Sequence, residues 1–108
     1  MEGSRNSMYD GDKAAIVMEK CLKEGMELDT TLYKCTVIEY QKETEQIHLL
    51  METGQMTGIS LDAIYECRME TLTGEVQCVG KIVDRYGNHA GKIIVFQVLS
   101  GFYERNIK

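Results

Sequence analysis

Four cysteines and two histidines are the residues of this chain best suited to chemistry: Cys21, Cys35, Cys67, Cys78, His48 and His89. A thiol becomes a nucleophile when a base within hydrogen-bond reach takes its proton. A zinc site needs Cys/His pairs close in sequence. Neither arrangement shows in the spacing, because no two cysteines form a CxxC pair and each histidine stands alone. Cys35, Cys67 and Cys78 fall on the apolar side of alternating segments, where a thiol keeps a high pKa and reacts little. They read as reduced thiols acting as small apolar side chains. His48 alternates outward from Ile47 and Leu49, and His89 lies in the Gly-flanked turn GNHAG, so both are expected at the surface. The carboxylate pairs Glu43/Glu45 and Glu66/Glu70 read as solvated turn and strand faces. An acid or base catalyst would need burial to shift its pKa. No Walker loop or GxGxxG occurs, and Gly87 and Gly91 do not lead into a helix that could offer its N-terminus to a phosphate. The expectation is a chain with no catalytic residue, no metal and no cofactor.

The elements that would position these residues form one domain of 108 residues. A domain of this size buries only about 60–65% of its unfolded surface, which leaves little room for a deep pocket. The net charge of −5 opposes an electrostatic grip on nucleic acid or anionic lipid, since both need clustered cations. No apolar run is long enough for a membrane helix, and the first residues, MEGSRNSMYDGD, lack the apolar stretch of a secretory signal. The expected location is the cytoplasm. Proline is absent, so turns must be made by Gly, Asn and Asp.

Residues 1–9 are polar and are expected to form a disordered N-terminal segment, leaving 10–108 as the folded domain. Asp10 or Asp12 can cap AAIVMEKCLKEG, where Ala14, Val17, Met18, Cys21 and Leu22 recur at helical spacing and Gly25 can end a helix in the left-handed conformation. This predicts one helix over about 12–24. Beyond Leu28 the pattern changes to period two. LYKCTVIEY, QIHLLME, DAIYECRMET, EVQCVGKIVDRY and KIIVFQVLS read as strands, with GQMTGIS as an edge strand or loop and FYERN as a last strand or tail. Thr53-Gly54 and Thr73-Gly74 mark tight returns. Gly80 in mid-strand signals a bulge or bend. KIIVFQVLS is a continuous apolar run, so both of its faces are expected to be covered. Five to seven short antiparallel strands over about 32–106 close most simply into an all-β barrel, which leaves no exposed edges.

The run ISLDAIYECRMET, followed by EVQCVGKIVDRYGNHAGKIIVFQVLSGFYERN, resembles the N-terminal PilZN domain of YcgR-type flagellar brake proteins. YKCTVIEYQKETEQIHL is similar to that family's opening strand pair, so the likeness spans residues 28–105. It implies a split β-barrel and a regulatory role through protein contacts. In that family the following PilZ domain binds cyclic di-GMP with RxxxR and D/N-x-S-x-x-G motifs. Arg5, Arg68, Arg85 and Arg105 include no two residues four apart, and Ser60 lacks the Asp/Asn and Gly that would flank it, so neither motif is present here.

Two surfaces follow as candidates. Phe102, Tyr103 and Arg105, extended by Tyr86 or Tyr65, combine aromatic rings with arginine in the manner of protein-interaction hot spots. The partner would be another protein or a second copy in a homodimer. Alternatively, the same rings seal the end of their own barrel. Flavin-binding split barrels suggest a second reading by analogy, with Lys81, Arg85 and Lys92 around a flavin phosphate or other small ligand. The leading expectation is a non-enzymatic regulatory or protein-interaction module.

Overall fold

The computed structural model describes residues 11–72 and 74–105, with Met56 and residues 101–105 described by backbone alone. The expected disordered segment 1–9 lies outside the described residues. Six strands follow one another: β1 (Lys13–Cys21), β2 (Leu32–Gln41), β3 (Gln46–Met51), β4 (Ala63–Thr71), β5 (Gly74–Asn88) and β6 (Gly91–Arg105). They close into an antiparallel barrel in the order β1-β2-β3-β6-β5-β4, with β4 returning beside β1. β1, β2 and β3 are consecutive neighbours and β4 lies next to the first of them, which is a Greek key. The connection that makes it possible, residues 52–62, crosses one end of the barrel and contains a single 3-10 turn, Met56–Gly58. GQMTGIS is therefore a loop, and the FYER sequence continues β6.

The helix expected over 12–24 is a strand. Within KAAIVMEKC the apolar residues fit both periods, so periodicity alone does not decide between them. Closure of the sheet does. A helix here would bury one stripe and leave β2 and β4 each with an open edge. As a strand, β1 pairs on both sides: Ala15 lies opposite Lys34 on β2 and Arg68 on β4. Ala14, Ile16 and Met18 then enter the core. Gly25 does take the left-handed conformation (φ 86°), but in a turn after β1, where the Met26 N–H donates to the Lys23 carbonyl.

The barrel interior is filled by its own side chains. Tyr33, Cys35 and Val37 from β2, Ile47 and Leu49 from β3, Tyr65, Cys67 and Met69 from β4, and Phe96 from β6 are all buried in one cluster. Burial at about 25 cal/mol per Å² of apolar area is the main term favouring the fold. The bend expected at Gly80 is present. A Cβ there would lie 2.1 Å from the Gln97 carbonyl oxygen and 2.7 Å from Phe96 Cε1. The β5–β6 register shifts on both sides of this point, between Val79 and Gly80 and between Ile82 and Asp84. Ile93, Ile94, Val95 and Phe96 are all buried, so both faces of KIIVFQVLS are covered over its first half, while beyond it Val98 is buried and Leu99 is exposed. At its tip the β5–β6 hairpin turns through His89 and Ala90, with the Asn88 side-chain oxygen accepting from the Ala90 N–H at 2.8 Å.

Candidate functional site

The crossing loop 52–62 closes one mouth of the barrel, and side chains from four strands hold it there. Ile59 plugs the opening and is buried in the core cluster. The hydroxyl of Tyr65 accepts the Ser60 N–H at 2.9 Å. Gly54 and Gly58 both pack against the ring of Tyr33, whose hydroxyl donates to the Asp29 carboxylate at 2.5 Å. Burial, and then the negative Asp29 beside it, push the Tyr33 hydroxyl up to about 12. The same hydrogen bond holds Asp29 below the usual carboxylate range.

Two of the three cations considered for a ligand phosphate belong to this closure. Arg85 lies opposite Ile94 and so shares the core-facing side of its strand, at the mouth. Its guanidinium donates to the Ile59 carbonyl. The Lys92 ammonium donates to the Gly54 carbonyl at 2.9 Å. Lys81 lies opposite Gln97, on the outer side of the wall. The barrel therefore does not gather Lys81, Arg85 and Lys92 around one space.

A cavity among the described residues lies on the outer wall, over β1. It has a volume of about 470 Å³ and is floored by Ala15 and Leu32. Charge surrounds that floor. Lys34 and Arg68 flank Ala15 from the neighbouring strands, and Lys13, Glu52, Glu70 and Glu75 complete the rim. The groove exists because β1 presents a methyl group where β2 and β4 present long side chains. Lys13 pairs with Glu52 at 2.9 Å, and the Thr36 hydroxyl also donates to Glu52. These two hydrogen bonds hold the Glu52 carboxyl below its ordinary range, the one from Lys13 acting most strongly. Arg68 pairs with Glu66 at 2.9 Å and reaches Glu75 at 4.0 Å. Cations and carboxylates thus alternate around a small apolar floor.

Strand register connects this groove to the aromatic tail. One row across the wall runs Lys34, Ala15, Arg68, Gln77, Tyr103, and the next runs Thr36, Lys13, Glu70, Glu75, Arg105. Phe102 lies beside these positions on β6, and the side chains of Phe102, Tyr103 and Arg105 lie outside the described residues. Tyr86 and Tyr65 do not join this surface. Tyr86 is nine residues along β5 from Gln77, roughly 30 Å away at the rise of an extended strand, and Tyr65 is wholly buried. Sequence reasoning missed the groove because it read β1 as a helix. The available signal was the alternation of Lys13 and Ala15 against Ala14 and Ile16.

Of the remaining chemical residues, Cys35, Cys67, Cys78 and His89 lie where their spacing placed them, while Cys21 lies on a strand and not on the expected helix. Cys35, Cys67 and Cys78 are buried, and Cys21 is partly so. Burial first, and the Glu52 charge second, push the Cys35 thiol up to about 12. His48 is half-buried and His89 is exposed in its turn. Among the described residues no three His, Cys, Asp or Glu side chains are placed to hold a metal ion. Comparison with protein-family models, with curated proteins and with solved structures finds no match.

Proposed function

We propose that this chain is a non-enzymatic regulatory module that engages a protein partner through the outer wall of β2, β1 and β4. The observation that carries this reading is the groove over Ala15. It is open to solvent, while the barrel interior is filled and its mouth is sealed by Arg85 and Lys92. A rim of alternating charge around an apolar floor suits a polypeptide segment that carries both charge signs, because each rim group then finds an opposite partner. The adjoining register positions of Tyr103 and Arg105 extend the wall with residue types favoured at binding hot spots. The resemblance to the PilZN domain, itself part of a regulatory protein, is in keeping with this role.

The test is site-specific photo-crosslinking in cells, with the probe at Lys34, at Arg68, or at Tyr86 on the far part of β5. Crosslinks to one protein species from the first two positions only, lost on Ala15→Gln, are the expected result. Equal crosslinking from Tyr86, or crosslinks that survive Ala15→Gln, would place the contact elsewhere. Sedimentation of the purified chain shows whether that species is a second copy.

A further inference from the structure

Cys67 and Cys78 lie directly opposite one another on β4 and β5. Directly opposed residues of an antiparallel pair have Cα atoms about 4.5 or 5.5 Å apart, depending on whether they exchange hydrogen bonds. Both spacings fall inside the roughly 4.4–6.8 Å that a disulfide spans. Their side chains face the interior and are wholly buried. Cys35, the third buried thiol, lies opposite Ala14 and Met51 and has no cysteine across from it on either neighbouring strand. Cys21 lies opposite Ala63. Among the four free cysteines, register therefore singles out one pair.

We propose that Cys67 and Cys78 are an oxidation site, forming an intramolecular disulfide across the β4–β5 hairpin by exchange with a small disulfide oxidant. One protein thiol loses its proton, and its sulfur attacks a sulfur of the oxidant, breaking the oxidant's S–S bond. A mixed disulfide forms and one small thiolate leaves. The second protein sulfur, deprotonated in turn, attacks the first and expels the other small thiolate. The two leaving thiolates take up the two protons. The protein loses two electrons and two hydrogens, and the oxidant is reduced to two thiols. Because both sulfurs are buried and only the thiolate attacks, the reaction runs through transient opening of the hairpin. The product closes a short loop, constraining the unfolded chain while leaving strand register in place.

The experiment treats the reduced full-length chain with oxidised glutathione, with and without urea below the unfolding midpoint, and reads intact mass and peptide maps. The expected product has lost two hydrogens, maps to a Cys67–Cys78 crosslink, forms faster in urea, and forms equally in Cys35→Ser. Its thermal midpoint lies roughly 10 °C above that of the reduced protein. Cys67→Ser and Cys78→Ser should each stop at a glutathione adduct. The wild-type chain serves as its own test should either variant fail to fold. A stable glutathione adduct at Cys67 or Cys78 of the wild type, a crosslink of either to Cys35 or Cys21, or unmodified Cys67 and Cys78 after opening in urea would each overturn the proposal.

Discussion

The sealed mouth and the outer groove both contain cations, and they use them differently. At the mouth, Arg85 and Lys92 donate to the backbone carbonyls of Ile59 and Gly54. In the groove, Lys13 pairs with the rim carboxylate Glu52, and Arg68 pairs with Glu66 beside the groove, with both cations exposed. Ile59 is buried, so its carbonyl has few other donors to turn to and losing Arg85 is costly, whereas Gly54 is exposed and water can replace Lys92 there. An exposed carboxylate that loses its lysine finds water, and such pairs contribute little to stability. At the mouth Arg85 therefore belongs to the fold more than Lys92 does, and the groove cations, paired at the surface, can exchange their partners for those of another chain. Substitutions at the mouth should lower stability, and substitutions in the groove should change binding alone.

The largest loss is expected from Gly54→Ala. Gly54 has φ 89°, and a Cβ there would lie 2.6 Å from Tyr33 Cδ1 and 2.8 Å from Cε1. The left-handed backbone disfavours any side chain, and the ring can retreat only by giving up Asp29. Left-handed strain and overpacking together cost about 2–4 kcal/mol, read as a lowered urea midpoint. Arg85→Met keeps the apolar stem and removes the donor to Ile59, for an expected loss of about 1–3 kcal/mol. If either variant were as stable as the wild type, the mouth would not be the structural half of the molecule.

Tyr33→Phe should cost about 1 kcal/mol at neutral pH by removing the hydrogen bond to Asp29, and the loss should depend on pH in a defined direction. The Tyr33 hydroxyl titrates at about 12 in the folded chain against an ordinary value of 10.0. Its contribution is complete below pH 10 and is lost as pH rises toward 12, where the unfolded chain ionises first. Asp29 gives the opposite limb. Its folded value is depressed, so its contribution is present above the ordinary 3.8 and is lost as pH falls through the folded value. The wild-type advantage over Tyr33→Phe should therefore shrink at both extremes. Cys35, also raised to about 12, is common to both proteins and cancels in the difference. A gap that held constant through both the acid limb below pH 3.8 and the alkaline limb from pH 10 to 12 would show that the difference does not come from the Tyr33–Asp29 contact.

The mouth was only partly legible in the sequence, and the groove was legible only in an alternation of Lys13 and Ala15 that a helix fits as well. Alternation in DAIYECRMET and LYKCTVIEY marked strands and inward residues, because a half-buried strand repeats every two residues. Gly80 announced its bend, because only glycine lets β6 approach so closely. Arg85 and Lys92 were visible as cations, but which carbonyls they would meet depends on residues 26 and 38 positions away in the chain. The groove needed β1, and AAIVMEKC fits a helix as well as a strand until the open edges of β2 and β4 are taken into account. Local pattern could not supply that information, because closing a sheet is a property of all its strands together.

The smallest effect on stability, and the sharpest on binding, is expected at Ala15. Its methyl group faces outward between Lys34 and Arg68, and a longer neutral side chain has open groove to occupy there. Ala15→Gln adds no charge, buries no new polar group away from water and leaves strand pairing intact, so its stability should stay within about 0.5 kcal/mol of the wild type. The same side chain fills the floor a partner would need. Partner crosslinking from Lys34 should then be lost while the urea midpoint holds. Arg68→Gln should weaken crosslinking in part, since the rim loses one charge and the floor stays open, at a stability cost below about 1 kcal/mol. A destabilised Ala15→Gln chain would mean that the outer wall of β1 supports the fold as the mouth does, and the division between structural and available cations would fail at its central residue.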